Sequence, residues 1–235
     1  MSGADKVLQE MLSLENDAQK SVLQRFFKTG KGQYGEGDLF LGIKVPQTRA
    51  VAKENWRHCT ISDLEVLIMS PYHEVRLVAL LILILQYKHN TSDKRFVDFY
   101  LGHTEYINNW DLVDLSCYEI LGHWLLDKDR TVLYTLAREG KNLWEQRIGI
   151  VSCMAFVRRG QYDDCLAIAD ILLNHPHDLL QKAVGWLLRE VGKRNEARLT
   201  EFLATRYRTM PRTMLRYAIE KYPEEIRQKY LKGTF

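Results

Sequence analysis

The feature that most limits what this chain can fold into is an internal repeat. Four segments share a polar start, a basic or long residue, and then a small or apolar run at helical spacing. They are HEVRLVALLIL (73–83), WEQRIGIVSCM (144–154), LLQKAVGWLLRE (179–190) and MPRTMLRYAIE (210–220). Aligning them places Arg76, Arg147, Lys182 and Leu215 at equivalent positions, and INNWDLVDLSC (107–117) fills the widest gap with Asp111. The steps are 35, 36, 35 and 33 residues. A period in the mid-thirties, with one shorter and one longer helix per unit, predicts an all-α, right-handed solenoid of HEAT- or armadillo-like hairpins. No such unit buries its apolar face alone, so stacking supplies the core.

The punctuation agrees. Helical patterning fills 4–28, 46–57, 62–69, 72–88, 92–102, 109–125, 129–138, 142–158, 162–173, 177–191, 195–207, 210–221 and 223–231, with strand signals nearly absent. The five prolines fall between these segments or in a first turn, where a missing N–H costs least. Ser62 to Glu65 reads as a capping box. No linker is long enough to divide the chain, so residues 1–235 are read as a single domain. Thr29 to Asp38 (TGKGQYGEGD) holds four of the fourteen glycines and formally matches GxGxxG. It follows a helical segment and no βαβ pattern comes after it, so a flexible loop able to order against a partner fits better than a nucleotide site.

Several function classes drop out. The longest apolar run, Leu77 to Leu85, is about half of the roughly 20 residues a membrane span needs. The first ten residues contain no signal-peptide core, which makes a cytoplasmic location the expectation. Cys59, Cys117, Cys153 and Cys165 form no CxxC pair and the seven histidines no cluster, so neither a metal nor another cofactor is expected. Net charge is only +3, yet residues 1–137 sum to −3 and residues 138–235 to +6, which fits a polyanion-binding face and equally a solvated basic surface.

Equivalent positions in a stacked solenoid form ladders. Three steps beyond the first ladder stand Ala79, Asp114, Ile150, Gly185 and Ala218: a packing position everywhere except the central unit, which holds a carboxylate. Trp110 lies one turn before Asp114 on the same helical face, and Lys182, Trp186 and Arg189 form a second stripe. Plainer readings exist for each: a core plug for Trp110, a salt-bridge carboxylate for Asp114, snorkelling stems for the stripe, a lone surface charge for Arg147 and a helix-end pair for Arg158 and Arg159. Asp111 reads as the helix cap. Taken together, tryptophans and cations around one carboxylate suit duplex DNA: cations meet phosphates, indoles pack on sugars, and the aspartate faces the oxocarbenium-like charge of glycosidic cleavage.

At these residues the sequence resembles the AlkD-type DNA alkylation repair enzymes, HEAT-like-repeat glycosylases that remove N3- and N7-alkylated purines. The resemblance spans essentially the whole chain through FLGIKVPQTR (40–49), NNWDLVD (108–114), LWEQRIGI (143–150) and KAVGWLLREVGKR (182–194). It implies a monofunctional glycosylase with Trp110, Asp114 and Trp186 in the catalytic pocket and Arg147 on the DNA backbone. Arg76, Lys182, Arg189, Arg158 and Arg159 complete the expected DNA-binding set. Where the family carries an aromatic tyrosine in its first helical region, this sequence offers Phe26 or Phe27, and its glycine-rich loop is longer than in the simplest members. The expected partner is duplex DNA, especially alkylated duplex, bound by a monomer that is nucleoid-associated when on DNA. A non-catalytic DNA-binding solenoid and a protein-binding scaffold are the alternatives.

Overall fold

A computed structural model describes residues 1–235 and is all-helical, with one isolated β-bridge between Leu39 and Tyr72. Two compact units, Met1–Leu112 and Val113–Phe235, share the chain. The first contains α1 (Gly3–Ser13), α2 (Asp17–Phe26), α3 (Val45–Asn55), α4 (Ile61–Ile68), α5 (His73–His89) and α6 (Arg95–Gly102). Helix α7 (Trp110–Ser116) runs through the boundary. The second unit contains α8 (Thr131–Glu139), α9 (Leu143–Val151), α10 (Met154–Val157), α11 (Asp163–Ile171), α12 (Asp178–Gly192), α13 (Glu196–Ala204), α14 (Arg212–Ala218) and α15 (Glu224–Lys232).

In the first unit α5 is the core element, packed against α3 and α4. Its apolar residues encircle the helix, and Leu77 through Ile84 are all buried, which accounts for the long apolar run without a membrane. No helix of the protein is long and apolar enough to cross a bilayer. In the second unit α8 pairs with α9 and α11 with α12, while α9, α12 and α14 pack in succession. These successive helices carry the aligned segments, so the spacing read from sequence is the spacing of stacked helical repeats. Gly185 shows how tightly they stack: a Cβ there would sit 2.5 Å from the Met214 carbonyl oxygen.

The structure corrects several boundaries. The segment 4–28 is two helices, because the Asn16 side chain caps α2 by accepting from the Gln19 N–H at 3.0 Å. The Asn16 amide donates to the Leu41 carbonyl at 2.9 Å, and Gly42, at φ +84°, leaves room for Asn16: a Cβ would meet its carbonyl oxygen at 2.2 Å. The capping box at α4 belongs to Thr60 and Asp63, not Ser62 and Glu65, and Asp63 also accepts from the Ala4 N–H at 2.9 Å. The expected helix 109–125 stops at Ser116 and continues as a π-helical turn, Tyr118–Gly122. Gly122 permits this, since a Cβ would lie 2.3 Å from the Ser152 carbonyl oxygen. The expected helix 142–158 is likewise interrupted between α9 and α10.

Cys59, Cys117, Cys153 and Cys165 are free and buried. Burial pushes the Cys59 thiol up to about 11 and the Cys117 and Cys153 thiols higher still, so these three are not nucleophiles at neutral pH.

Candidate active site

The repeat position that holds Asp114 is filled elsewhere by Ala79, Ile150, Gly185 and Ala218, all of them buried. Asp114 keeps 18% of its side chain open. Its carboxylate is met by a fork from α9: Arg147 Nε donates to Oδ1 and Nη2 to Oδ2, each at 2.8 Å. Two parallel charge-assisted bonds fix the plane of the carboxylate as well as its charge. The remaining guanidinium nitrogen, Nη1, donates to the Leu179 carbonyl at the start of α12. Leu179 lies seven residues before Trp186, two helical turns along the same face. Trp186 is half-buried.

In the first unit, Trp110 is half-buried, and its amide donates at 2.8 Å to the side chain of Asn109, the residue just before α7. Phe27 stacks on the indole with centroids 5.4 Å apart and planes 21° apart, and Phe26 meets it edge-on at 5.9 Å. Phe27 is buried and Phe26 is 60% exposed. Trp110 therefore belongs to an aromatic wall rather than standing alone.

The chain matches the sequence profile of the DNA alkylation repair enzymes over residues 7–222. It belongs to the DNA alkylation repair enzyme family. Among solved structures it resembles a protein described as a predicted DNA alkylation repair enzyme from Enterococcus faecalis, with TM-score 0.70 and 17% identity. That alignment covers 89% of this chain and 97% of the other and shows the shared helical-repeat fold. No curated protein matches the chain.

Membership in a DNA alkylation repair family implies DNA binding, and the expected DNA-contacting residues divide on burial. Arg158 and Arg159 are exposed, with Arg158 lying over the Tyr118 ring at 4.6 Å. Lys182 is half-buried and pairs with Asp178 at 2.8 Å. Arg189 pairs with Glu220. Pairs as open as Lys182–Asp178 contribute little and exchange readily for a phosphate. Two of the expected contacts, Arg76 and Arg147, are covered and paired within the protein. Arg76 is 4% exposed, donating to Asp38, to the Ser70 carbonyl at 2.9 Å and to Asn108 at 3.0 Å. Arg147 is 6% exposed and committed to Asp114 and Leu179. A helical register fixes equivalence between units, but it does not separate an open face from the groove against the next helix.

The reading of Asp111 as the helix cap is corrected. Asp111 caps nothing; its carboxylate is buried and accepts from His73 Nε2 at 2.9 Å. The other ring nitrogen of His73, Nδ1, meets Asp38 Oδ2 at 2.9 Å. Asp38 closes the glycine-rich stretch, whose other end is held by the Gly35 amide donating to the Lys28 carbonyl at 3.2 Å. Sequence reasoning passed over His73 because its partners stand 35 and 38 residues away, on two different segments. Among the described residues no group of histidine, cysteine, aspartate or glutamate side chains could hold a metal ion.

Proposed function

We propose that this DNA alkylation repair family member is a monofunctional DNA N-glycosylase that releases cationic N3- and N7-alkylated purines from duplex DNA. The observation that carries this reading is Asp114: a partly open carboxylate, aimed by a bidentate arginine, at a repeat position that otherwise packs small or apolar groups. An N3- or N7-alkyl purine already bears positive charge and departs as a neutral base. The leaving group therefore needs no general acid, and the positive charge moves to the sugar. A fixed carboxylate stabilises that charge without reorganising when it appears. The 18% of the Asp114 side chain that stays open is where the deoxyribose would approach it. Trp110 and Trp186 supply apolar faces for the sugar, and Arg158, Arg159, Lys182 and Arg189 meet phosphates.

One observation favours a second reading. Arg147 offsets much of the Asp114 charge, which suits a non-catalytic DNA-binding relative in which the pair is structural. Base release from methylated duplex, measured for wild type and Asp114→Asn, decides between them. The glycosylase reading expects release by the wild type and a rate at least about a hundredfold lower in the variant. A wild type that binds duplex tightly and releases nothing supports the second reading.

A further inference from the structure

The buried cluster behind Trp110 is not used by the chemistry above. His73, the first residue of α5, is 1% exposed. A neutral imidazole has one N–H donor and one bare nitrogen, whereas an ionised carboxylate only accepts. Asp38 lies 2.9 Å from one ring nitrogen and Asp111 2.9 Å from the other. Satisfying both carboxylates requires protons on both nitrogens. Every charged group around the ring fits that state. From the glycine-rich loop comes Asp38, from α7 comes Asp111, and from α5, the helix of His73 itself, Arg76 reaches Asp38. Glu74 is turned away, accepting from the Leu41, Gly42 and Ile43 amides at 2.9, 2.9 and 3.1 Å. Two cations and two carboxylates leave no net charge, the condition under which such a group tolerates burial. Burial alone would lower the His73 pKa, but the charges and hydrogen bonds of Asp111 and Asp38 lift it to about 9.

The imidazole reaches Trp110 by two routes. Through Asp111 it holds the residue next to Trp110, and Asp111 Oδ1 has no partner within the protein, so the imidazolium is what compensates that carboxylate. Through the rings, Phe40 stacks on His73 at 4.6 Å, Phe27 lies 4.9 Å from it, and Phe27 stacks in turn on Trp110. We propose that His73, as a buried imidazolium bridging Asp38 and Asp111, is a positioning residue that fixes the plane of the Trp110 indole and ties it to the end of the glycine-rich loop. The kinetic consequence rests on the glycosylase reading; the structural one does not.

The test uses the full-length protein. In wild type, nitrogen-15 NMR should find both His73 ring nitrogens protonated at about pH 7.5, with a titration near pH 9. The Trp110 indole N–H resonance, assigned through Trp110→Phe, should move with that titration. In single-turnover base release, His73→Gln should slow the chemical step about tenfold and leave duplex Kd within about twofold, because misorienting a wall affects rate more than binding. Asp111→Asn keeps an acceptor oxygen but removes the charge, so it should shift the alkaline limb of the rate profile down by about one pH unit. A merely structural role would lower Tm in both variants and leave that limb where it is. An unprotonated ring nitrogen at about pH 7.5, or an indole resonance that stays put through pH 9, overturns the proposal. If wild type releases no base, the glycosylase reading fails, and the two NMR titrations, which need neither variant to fold, still judge the positioning role.

Discussion

Replacing Arg147 by methionine tests whether the guanidinium serves Asp114 or the DNA backbone. The substitution keeps an unbranched apolar stem and removes two 2.8 Å bonds to Asp114, together with the bond to the Leu179 carbonyl. An abandoned buried carboxylate costs about 3 to 5 kcal/mol. Asp114 retains some water contact through its 18% exposed side chain, which places the loss at about 3 kcal/mol. Asp114→Asn strands the guanidinium instead, but Leu179 still accepts from it, so about 2 kcal/mol is expected. The double variant should recover about 2 kcal/mol relative to the sum of the singles, since neither partner is then unpaired. Urea unfolding gives all four free energies. Duplex binding across a salt series supplies the contrast: in Arg147→Met, both Kd and its salt slope should match the wild type. A slope smaller by about one phosphate contact, with unfolding free energy unchanged, would refute the reasoning and return Arg147 to the DNA backbone.

Further expectations concern binding, pH and packing. Lys182→Ala should weaken methylated and unmodified duplex equally and reduce the salt slope by about one, as measured by fluorescence anisotropy, because its pair with Asp178 is readily given up. His73 gains proton affinity on folding, so its contribution is complete below its unfolded pKa of 6.5 and is lost as pH rises through about 9. That shift corresponds to about 3 kcal/mol, and Tm should fall over this window in wild type but not in His73→Gln. On the acid side Asp38 behaves oppositely. Burial raises its carboxyl pKa, but His73 and Arg76 more than offset that, so its stabilisation holds above the ordinary aspartate value of 3.8 and is lost below it. Gly185→Ala should cost about 2 kcal/mol in urea unfolding, because α12 and α14 must part to admit a methyl 2.5 Å from the Met214 carbonyl oxygen.

The repeat was legible because stacking imposes the same spacing on every unit. Ala79, Ile150, Gly185 and Ala218 are all buried, as a shared register demands, and Asp114 stood out as the exception to it. The pairing of that aspartate was not legible. Arg147 lies 33 residues away, so no i,i+4 pattern announces it, and its place on a ladder with Arg76 gave both arginines an outward-looking appearance. Phe26 and Phe27 were visible as aromatics, but their stacking on Trp110 depends on where α2 ends. That end falls at Phe26, with Phe27 as the C-cap, inside apolar periodicity that reads as one unbroken helix over 4–28. Asp111 was misread for a local reason: aspartate beside a helix start ordinarily caps it, whereas here Asp111 turns to a histidine on another helix.

The four buried thiols give each unit its own chemical clock. Cys59 is the thiol of the first unit, and Cys117, Cys153 and Cys165 lie in the second. Alkylating reagents attack thiolates; all four sulfurs are covered, and burial also holds Cys59, Cys117 and Cys153 protonated, so modification waits for the surrounding helices to open. Mass spectrometry of the labelled peptides then yields two opening free energies from one reaction, and the ratio of the Cys59 rate to the other three records whether one half of the molecule loosens before the other. Bound DNA would enter that measurement as a change in one clock, in both, or in neither, which locates its grip without any substitution in the protein.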